Sequence, residues 1–166
     1  MNICFVTREF YPFFYGGIGS HFYYQMKMLR EKGHNVFFVT HLYDNVNENS
    51  VQELYAGITL IYTNSKKKKF SIHENLKNAS LMAEAFDDFL LNNNIVFDFV
   101  IAPDCGGESF FILQQQVMHG KYPSTKFITE VVGPMSIVVK HNKDIVDKHY
   151  KVTELMEKFV LDRKST

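Results

Sequence analysis

No stretch of this sequence approaches the roughly 20 consecutive apolar residues that a membrane-spanning helix requires, and neither sign of charge is in excess. Lys plus Arg and Asp plus Glu each total 18, so the whole-chain balance holds no electrostatic footprint for nucleic acid. Cysteine is scarce: Cys4 and Cys105 are the two present. Both fall in or beside expected strands, where buried free thiols are more usual than a disulfide. The N-terminus has no basic region and enters a strand at once, which argues against a secretory signal and for a cytoplasmic compartment. In that setting the glycosylation triplet Asn78-Ala79-Ser80 is a chance match.

Several reaction motifs are missing too. There is no Asp-x-Asp for a metal-dependent transferase. His73-Glu74 meets Lys77 where the second histidine of a zinc protease helix would stand. In Gly17-Ile18-Gly19-Ser20 the serine is one step out of register for a nucleophile elbow. The seven histidines show no ligand spacing, and His149 on an apolar face reads as a core residue. No metal site is expected.

What the chain does have is enough apolar material for one ordinary globular domain. It is 166 residues long, 46% hydrophobic and 15% aromatic. Its most informative stretch runs from Arg8 to His21, REFYPFFYGGIGSH. An apolar run, Ile3 to Val6, precedes it and an amphipathic helix beginning near Ile18 follows. Strand, glycine loop and helix start together make an anion site. Gly16, Gly17 and Gly19 let backbone N–H groups approach a ligand, and the first helical turn adds unpaired donors at the positive end of the dipole. A phosphate or diphosphate is the natural guest, and a plain chain reversal is the bland alternative. A dinucleotide fingerprint fits poorly, because Phe22 stands where a third glycine belongs and no acidic residue closes the second strand at Thr40–His41. A P-loop fails for want of Gly-Lys-Ser/Thr.

Taken in order, strand one covers Asn2 to Thr7, apolar on both faces as in the middle of a parallel sheet. Helix one carries Ile18, Phe22, Met26 and Leu29 on one face and stops at Gly33. Strand two is Val36 to Thr40, and the first crossover should be right-handed. His41 to Ser50 reads as an exposed loop, and Val51–Tyr55 with Ile58–Tyr62 as a strand broken at Gly57. The run Lys66, Lys67, Lys68 and Lys69 is a solvated loop or, on a sharper reading, a weak patch for anionic lipid at the inner membrane face. A helix spans Ile72 to Asn92 with Leu76, Ala79, Ala83, Phe86 and Leu90 inward. A strand follows at Phe97 to Ala102, then a helix opened by Pro103 to Glu108 with Phe110, Leu113 and Val117 inward. The last strand, Thr125 to Val132, ends at Gly133-Pro134. A final helix from Asp144 to Leu161 turns Ile145, His149, Val152, Met156 and Phe159 to the core. Alternating strands and helices predict an α/β, Rossmann-like three-layer sandwich with a mostly parallel central sheet. Its carboxyl edge would gather the Gly16–Gly19 loop, Asp104 to Glu108, and Glu130 to Pro134.

Three of these segments resemble a known family. Glu9-Phe10-Tyr11-Pro12 followed by Gly16-Gly17-Ile18-Gly19, then Glu31-Lys32-Gly33-His34-Asn35-Val36, then Phe97 to Asp104 with Gly106-Gly107-Glu108, are similar to the glycogen-synthase-like retaining glycosyltransferases of the GT-B fold. The resemblance runs from Met1 to about Leu161 and is to the N-terminal, acceptor-side half. It implies transfer of a sugar from a nucleotide-diphosphate donor to a glycan or lipid-linked acceptor with retained configuration, without a metal or other cofactor. It places the departing diphosphate on the amides of Gly16, Gly17 and Gly19. Glu9, Asp104, Gly107, Glu108 and Glu130 fall to the acceptor or sugar pocket, with helix capping as the alternative role for Asp104 and Glu108.

Two departures accompany the match. Relatives carry a histidine that touches the donor sugar at the end of the strand before Gly133-Pro134, and here the position is Val132. Glu130 and His141 are the nearby groups that could stand in, although a surface or structural role is commoner for each. Relatives also bind the donor through a second domain with a spaced pair of glutamates, and no glutamates here have that spacing. The expectation is therefore one Rossmann-like domain over residues 1–166, with a C-terminal donor-binding domain absent, and little transfer by the chain alone. The competing expectation is a stand-alone binding or partner module without catalysis.

Overall fold

The computed structural model describes residues 1–14, 16–43, 46–63, 73–142 and 148–162. Among these residues five strands form a single, wholly parallel sheet: β1 Asn2–Val6, β2 Asn35–His41, β3 Ile58–Thr63, β4 Phe99–Pro103 and β5 Lys126–Glu130. Their spatial order is β3-β2-β1-β4-β5, so β1 is central and the order reverses between β1 and β4. Among the described residues six α-helices accompany them: α1 Gly17–Glu31, α2 Glu48–Leu54, α3 Glu74–Asn93, α4 Phe110–His119, α5 Met135–Asn142 and α6 Lys148–Leu161. The architecture is Rossmann-like, with the sheet parallel throughout rather than mostly so.

Strand residues alternate between two apolar layers. Ile3, Phe5, Val36, Phe38 and Ile101 pack with Phe22, Tyr23 and Met26 of α1 and with Val51 and Tyr55. Cys4, Val6, Phe37, Val39, Val100 and Ala102 pack with Met82, Ala83 and Phe86 of α3 and Ile112 of α4. Burial on both faces explains why β1 and β2 read as unbroken apolar runs. A third cluster joins Ala79, Phe110 and Leu113 to Met156 and Val160 of α6, so α6 lies over α3 and α4. Gly33, at φ +83°, terminates the α1 region in the left-handed conformation that a side chain would resist.

Four local expectations change. Val51–Tyr55 is not a strand: Val51 to Leu54 are most of α2 and Tyr55 is its C-cap. Asn47 caps that helix by accepting from the N–H groups of Asn49 and Ser50, and Val51 and Tyr55, four apart, then turn to the core together. The Gly133-Pro134 turn leads into α5, an extra helix whose exposed Ile137 and Val138 hid its amphipathic pattern. On α6 the buried face is Tyr150, Thr153, Met156, Glu157 and Val160. It is rotated from the expected one, with Val152 and Phe159 only partly covered, because Glu157 is drawn inward by backbone donors. Val117, one turn beyond the buried Leu113, is exposed among the described residues. Lys66 to Lys69, Ile72 and Ile145 lie outside the described residues, as does the side chain of His149.

Candidate functional site

Because every strand points the same way, the segments that follow β1, β4 and β5 emerge on one edge of the sheet. After β1 the chain passes Thr7, Arg8 and Glu9 before entering α1 with Gly16 as its N-cap, in an extended conformation and without a side-chain cap. The cap is instead supplied from outside the helix. The Gly19 N–H donates to Glu9 Oε2 at 2.7 Å, and a Cβ on Gly16 would run into the same carboxylate. Glu9 thus rests where a carboxylate is favoured by the helix dipole. Gly16 and Gly17 remain exposed, and a Cβ on Gly17 would meet nothing within 4 Å.

After β4 the chain turns through Asp104 and a short 3-10 turn, Cys105–Gly107. Asp104 is fully buried and makes no capping bond to that turn. Its Oδ1 accepts from the N–H groups of Val132 at 3.0 Å and Gly133 at 3.3 Å, while its own N–H donates to the Glu130 carbonyl at 3.0 Å. The loops after β4 and β5 are thereby tied together. Gly107 is placed by necessity: at φ +62°, a Cβ there would lie 2.6 Å from Met156 Cβ on α6.

Glu108 also turns inward, 5% exposed. Its Oε1 meets Arg8 Nε at 3.1 Å, and its Oε2 accepts from the Arg8 N–H at 3.1 Å. Burial pushes its carboxyl up to about 7, against the opposing pull of the Arg8 guanidinium. Arg8 continues to Asn75 Oδ1 at 3.1 Å, and Asn75 Nδ2 to Thr153 Oγ1 at 2.9 Å. The network ties the segment after β1 and the turn before α4 to α3 and α6. Beside it Cys105 is a poor nucleophile, since burial and the neighbouring Glu157 and Glu108 carboxylates push its thiol up to about 11.

Glu157, absent from every sequence expectation, is 1% exposed. Its Oε1 accepts from the N–H groups of Gly106 at 2.9 Å and Met135 at 2.8 Å, and its Oε2 from that of Ser136 at 3.0 Å. One carboxylate therefore caps α5 and holds the Gly106 turn. Glu130, at the end of β5, faces the other way. It meets His21 Nε2 at 2.8 Å through Oε2 and Gln25 Nε2 at 2.9 Å through Oε1. His141 sits exposed in the last turn of α5, and Val132 is 41% exposed.

The fold brings Glu9 together with Gly16 and Gly19, and Asp104 with the Glu130 to Gly133 turn. Asp104 and Glu108 point inward, where they set the loops rather than line open space. Arg8, His21, Gln25 and Glu157 are the polar groups that sequence reasoning left without a role. Their partners lie between 21 and 109 residues away along the chain, beyond any local spacing signal. Among the described residues no three His, Cys, Asp or Glu side chains gather as a metal site, and no helix is long and apolar enough to cross a membrane.

Comparison with known proteins agrees with this layout. A family model described as the starch synthase catalytic domain matches residues 2–108, which take in the glycine loop, β4 and the turn to Glu108. One subunit of the human (Homo sapiens) phosphatidylinositol N-acetylglucosaminyltransferase is 41% identical over 61 residues, covering 37% of this chain and 12% of that protein. A parallel Rossmann-like sheet with a glycine loop after its central strand, matched by that model over more than half the chain, places the protein: it belongs to the starch synthase catalytic domain family and is a glycosyltransferase domain of the GT-B type.

Proposed function

We propose that the chain is the acceptor-side half of a retaining glycosyltransferase that takes a sugar from a nucleotide-diphosphate donor to a carbohydrate or lipid-linked acceptor. The position of the glycine loop carries this reading. It opens α1, which follows central strand β1 after the loop from Thr7 to Gly16, where the strand order turns from β2 to β4, and open parallel sheets take their ligands at that crevice. As the bond from anomeric carbon to diphosphate oxygen breaks, charge grows on the leaving group. On this reading the backbone N–H groups of Gly16 and Gly17, two exposed residues at the start of α1, meet that charge without a metal. A diphosphate that reaches Gly19 displaces Glu9, whose carboxylate then stands free on the acceptor side. The buried Asp104, Glu108 and Gly107 keep the opposite wall in place.

The human relative's name pairs N-acetylglucosamine with phosphatidylinositol, and we take that pair as the first donor sugar and acceptor to test here. On this reading the donor nucleotide is gripped chiefly by a second domain, in cis or in trans, so this chain alone turns over a nucleotide sugar poorly. Work at the cytoplasmic membrane face, aided by Lys66 to Lys69, belongs to the same proposal.

Titration of UDP into the chain tests it. Wild type binds, and Gly17→Val abolishes binding with the melting temperature held, because a side chain at that position meets open space. Binding unchanged by Gly17→Val reduces the loop to a chain reversal. A second reading, a partner module without catalysis, is favoured by two observations: Glu9 already occupies the Gly19 amide, and Val132 brings no imidazole to the rim. Transfer restored by a separately supplied second domain decides for the enzyme; none decides for the module.

A further inference from the structure

We propose that His21, held in place by Glu130 and Gln25, is a substrate-binding residue whose Nδ1 accepts a hydrogen bond from a ring hydroxyl of the sugar or polyol at the rim. The inference rests on the glycosyltransferase reading above and names a contact which that reading does not contain.

Position comes first. His21 lies one turn into α1 from Gly17, on the helix that opens with the glycine loop. Glu130 is the last residue of β5, and its carbonyl accepts from Asp104, so its backbone is fixed to the loop after β4. The pair therefore spans the two walls of the crevice. His21 has half its side chain exposed, against 23% for Glu130, so the imidazole is not filling a core.

Proton placement follows from the partners. An ionised carboxylate only accepts, so the 2.8 Å contact to Glu130 requires a proton on His21 Nε2. Gln25, four residues on, donates its amide to the other carboxylate oxygen at 2.9 Å. His21 Nε2 and Gln25 Nε2 also stand 2.9 Å apart. With both sending protons to Glu130, that closeness is a by-product of sharing one carboxylate and not a bond between them. A neutral imidazole with Nε2 protonated carries a bare lone pair on Nδ1, and Nδ1 has no partner among the described residues. A partly exposed hydrogen bond between an imidazole and a carboxylate adds little stability. Two side chains converging on one carboxylate do, however, hold the ring in one orientation and one tautomer, as such partners do for histidines elsewhere. The result is an oriented acceptor beside the crevice, suited to a hydroxyl donor. A sugar ring from the donor and a polyol ring from the acceptor share that chemistry.

The test uses the chain itself and NMR titrations with three probes: UDP, UDP-N-acetylglucosamine and dihexanoyl phosphatidylinositol. His21→Ala and His21→Gln remove the Nδ1 acceptor, the latter keeping a group that reaches Glu130. His21→Asn keeps an acceptor where Nδ1 was. Loss of one neutral hydrogen bond predicts about fivefold to tenfold weaker binding for Ala and Gln, with Asn within about threefold of wild type. Weakening confined to UDP-N-acetylglucosamine assigns the donor sugar, and weakening confined to the phospholipid assigns the acceptor. UDP binding should not change. In the imidazole nitrogen spectrum, wild type should show Nε2 protonated, and Glu130→Ala should mix the tautomers. If UDP binds but neither hydroxyl-bearing probe responds to His21→Ala, this proposal falls and the glycine-loop reading stands. If wild type binds none of the three, both fall.

Discussion

Glu157 offers the sharpest test of how the rim is held. Its carboxylate accepts three backbone N–H bonds, from Gly106, Met135 and Ser136, at 2.8–3.0 Å and in nearly complete burial. Glu157→Ala leaves those donors facing a cavity. Each unpaired buried donor costs about 1–3 kcal/mol, and partial entry of water offsets some of it, so the expected loss is about 4 kcal/mol. Against a total of about 5–15 kcal/mol for a domain, that loss is large. Glu157→Gln is the finer probe. If its one carbonyl oxygen keeps Gly106 and Met135, its NH2 group faces the Ser136 N–H, a donor against a donor, and the loss is about 2 kcal/mol. Urea unfolding of the three proteins at one pH measures both values. Hydrogen exchange should show the Gly106, Met135 and Ser136 amides losing protection ahead of the β1 amides. An Ala variant within about 1 kcal/mol of wild type, with those three amides still protected, refutes the assignment of Glu157 as the shared cap.

Gly107→Ala places a side chain at φ +62° and 2.6 Å from Met156 Cβ; strain and overlap together predict a loss of about 3 kcal/mol by urea unfolding. Glu108 predicts a pH dependence. Its carboxyl rises from 4.5 to about 7 on folding, so the folded chain keeps a proton that the unfolded chain releases across that window. Stability therefore falls as pH rises from about 4.5 to 7 and then levels, by on the order of 3 kcal/mol. The difference in melting temperature between wild type and Glu108→Gln, followed from about pH 5 to 8, should shrink or reverse accordingly, and a flat difference contradicts it. Asn47→Ala removes the α2 cap and should cost about 1 kcal/mol with little effect on ligand titrations.

The sheet was legible because β1, β2 and β4 are apolar on both faces and glycine or asparagine marks the helix ends, signals that act within a few residues. Val51–Tyr55 misled because valine and tyrosine favour strands, whereas the Asn47 cap and the i, i+4 pairing of Val51 with Tyr55 decide for a helix. The α6 face was misjudged for a related reason. Glu157 looks like a solvent residue until its donors arrive from two other loops. The glycine loop could be found in the sequence, but not that Glu9 would settle on the Gly19 amide, since both separation and direction depend on the path of the chain after Thr7. His21 and Glu130 stand 109 residues apart, and only the parallel order of β1, β4 and β5 makes them neighbours.

The bonds from Asp104 to Val132 and Gly133 carry a practical corollary for anyone wishing to redirect this scaffold. The two segments they join are separated by 28 and 29 residues yet behave as one moulded part. Grafting either from a different protein would strand the Asp104 carboxylate or the two amides. A successful exchange has to transplant both segments together, with the acid and its receiving turn taken from the same parent.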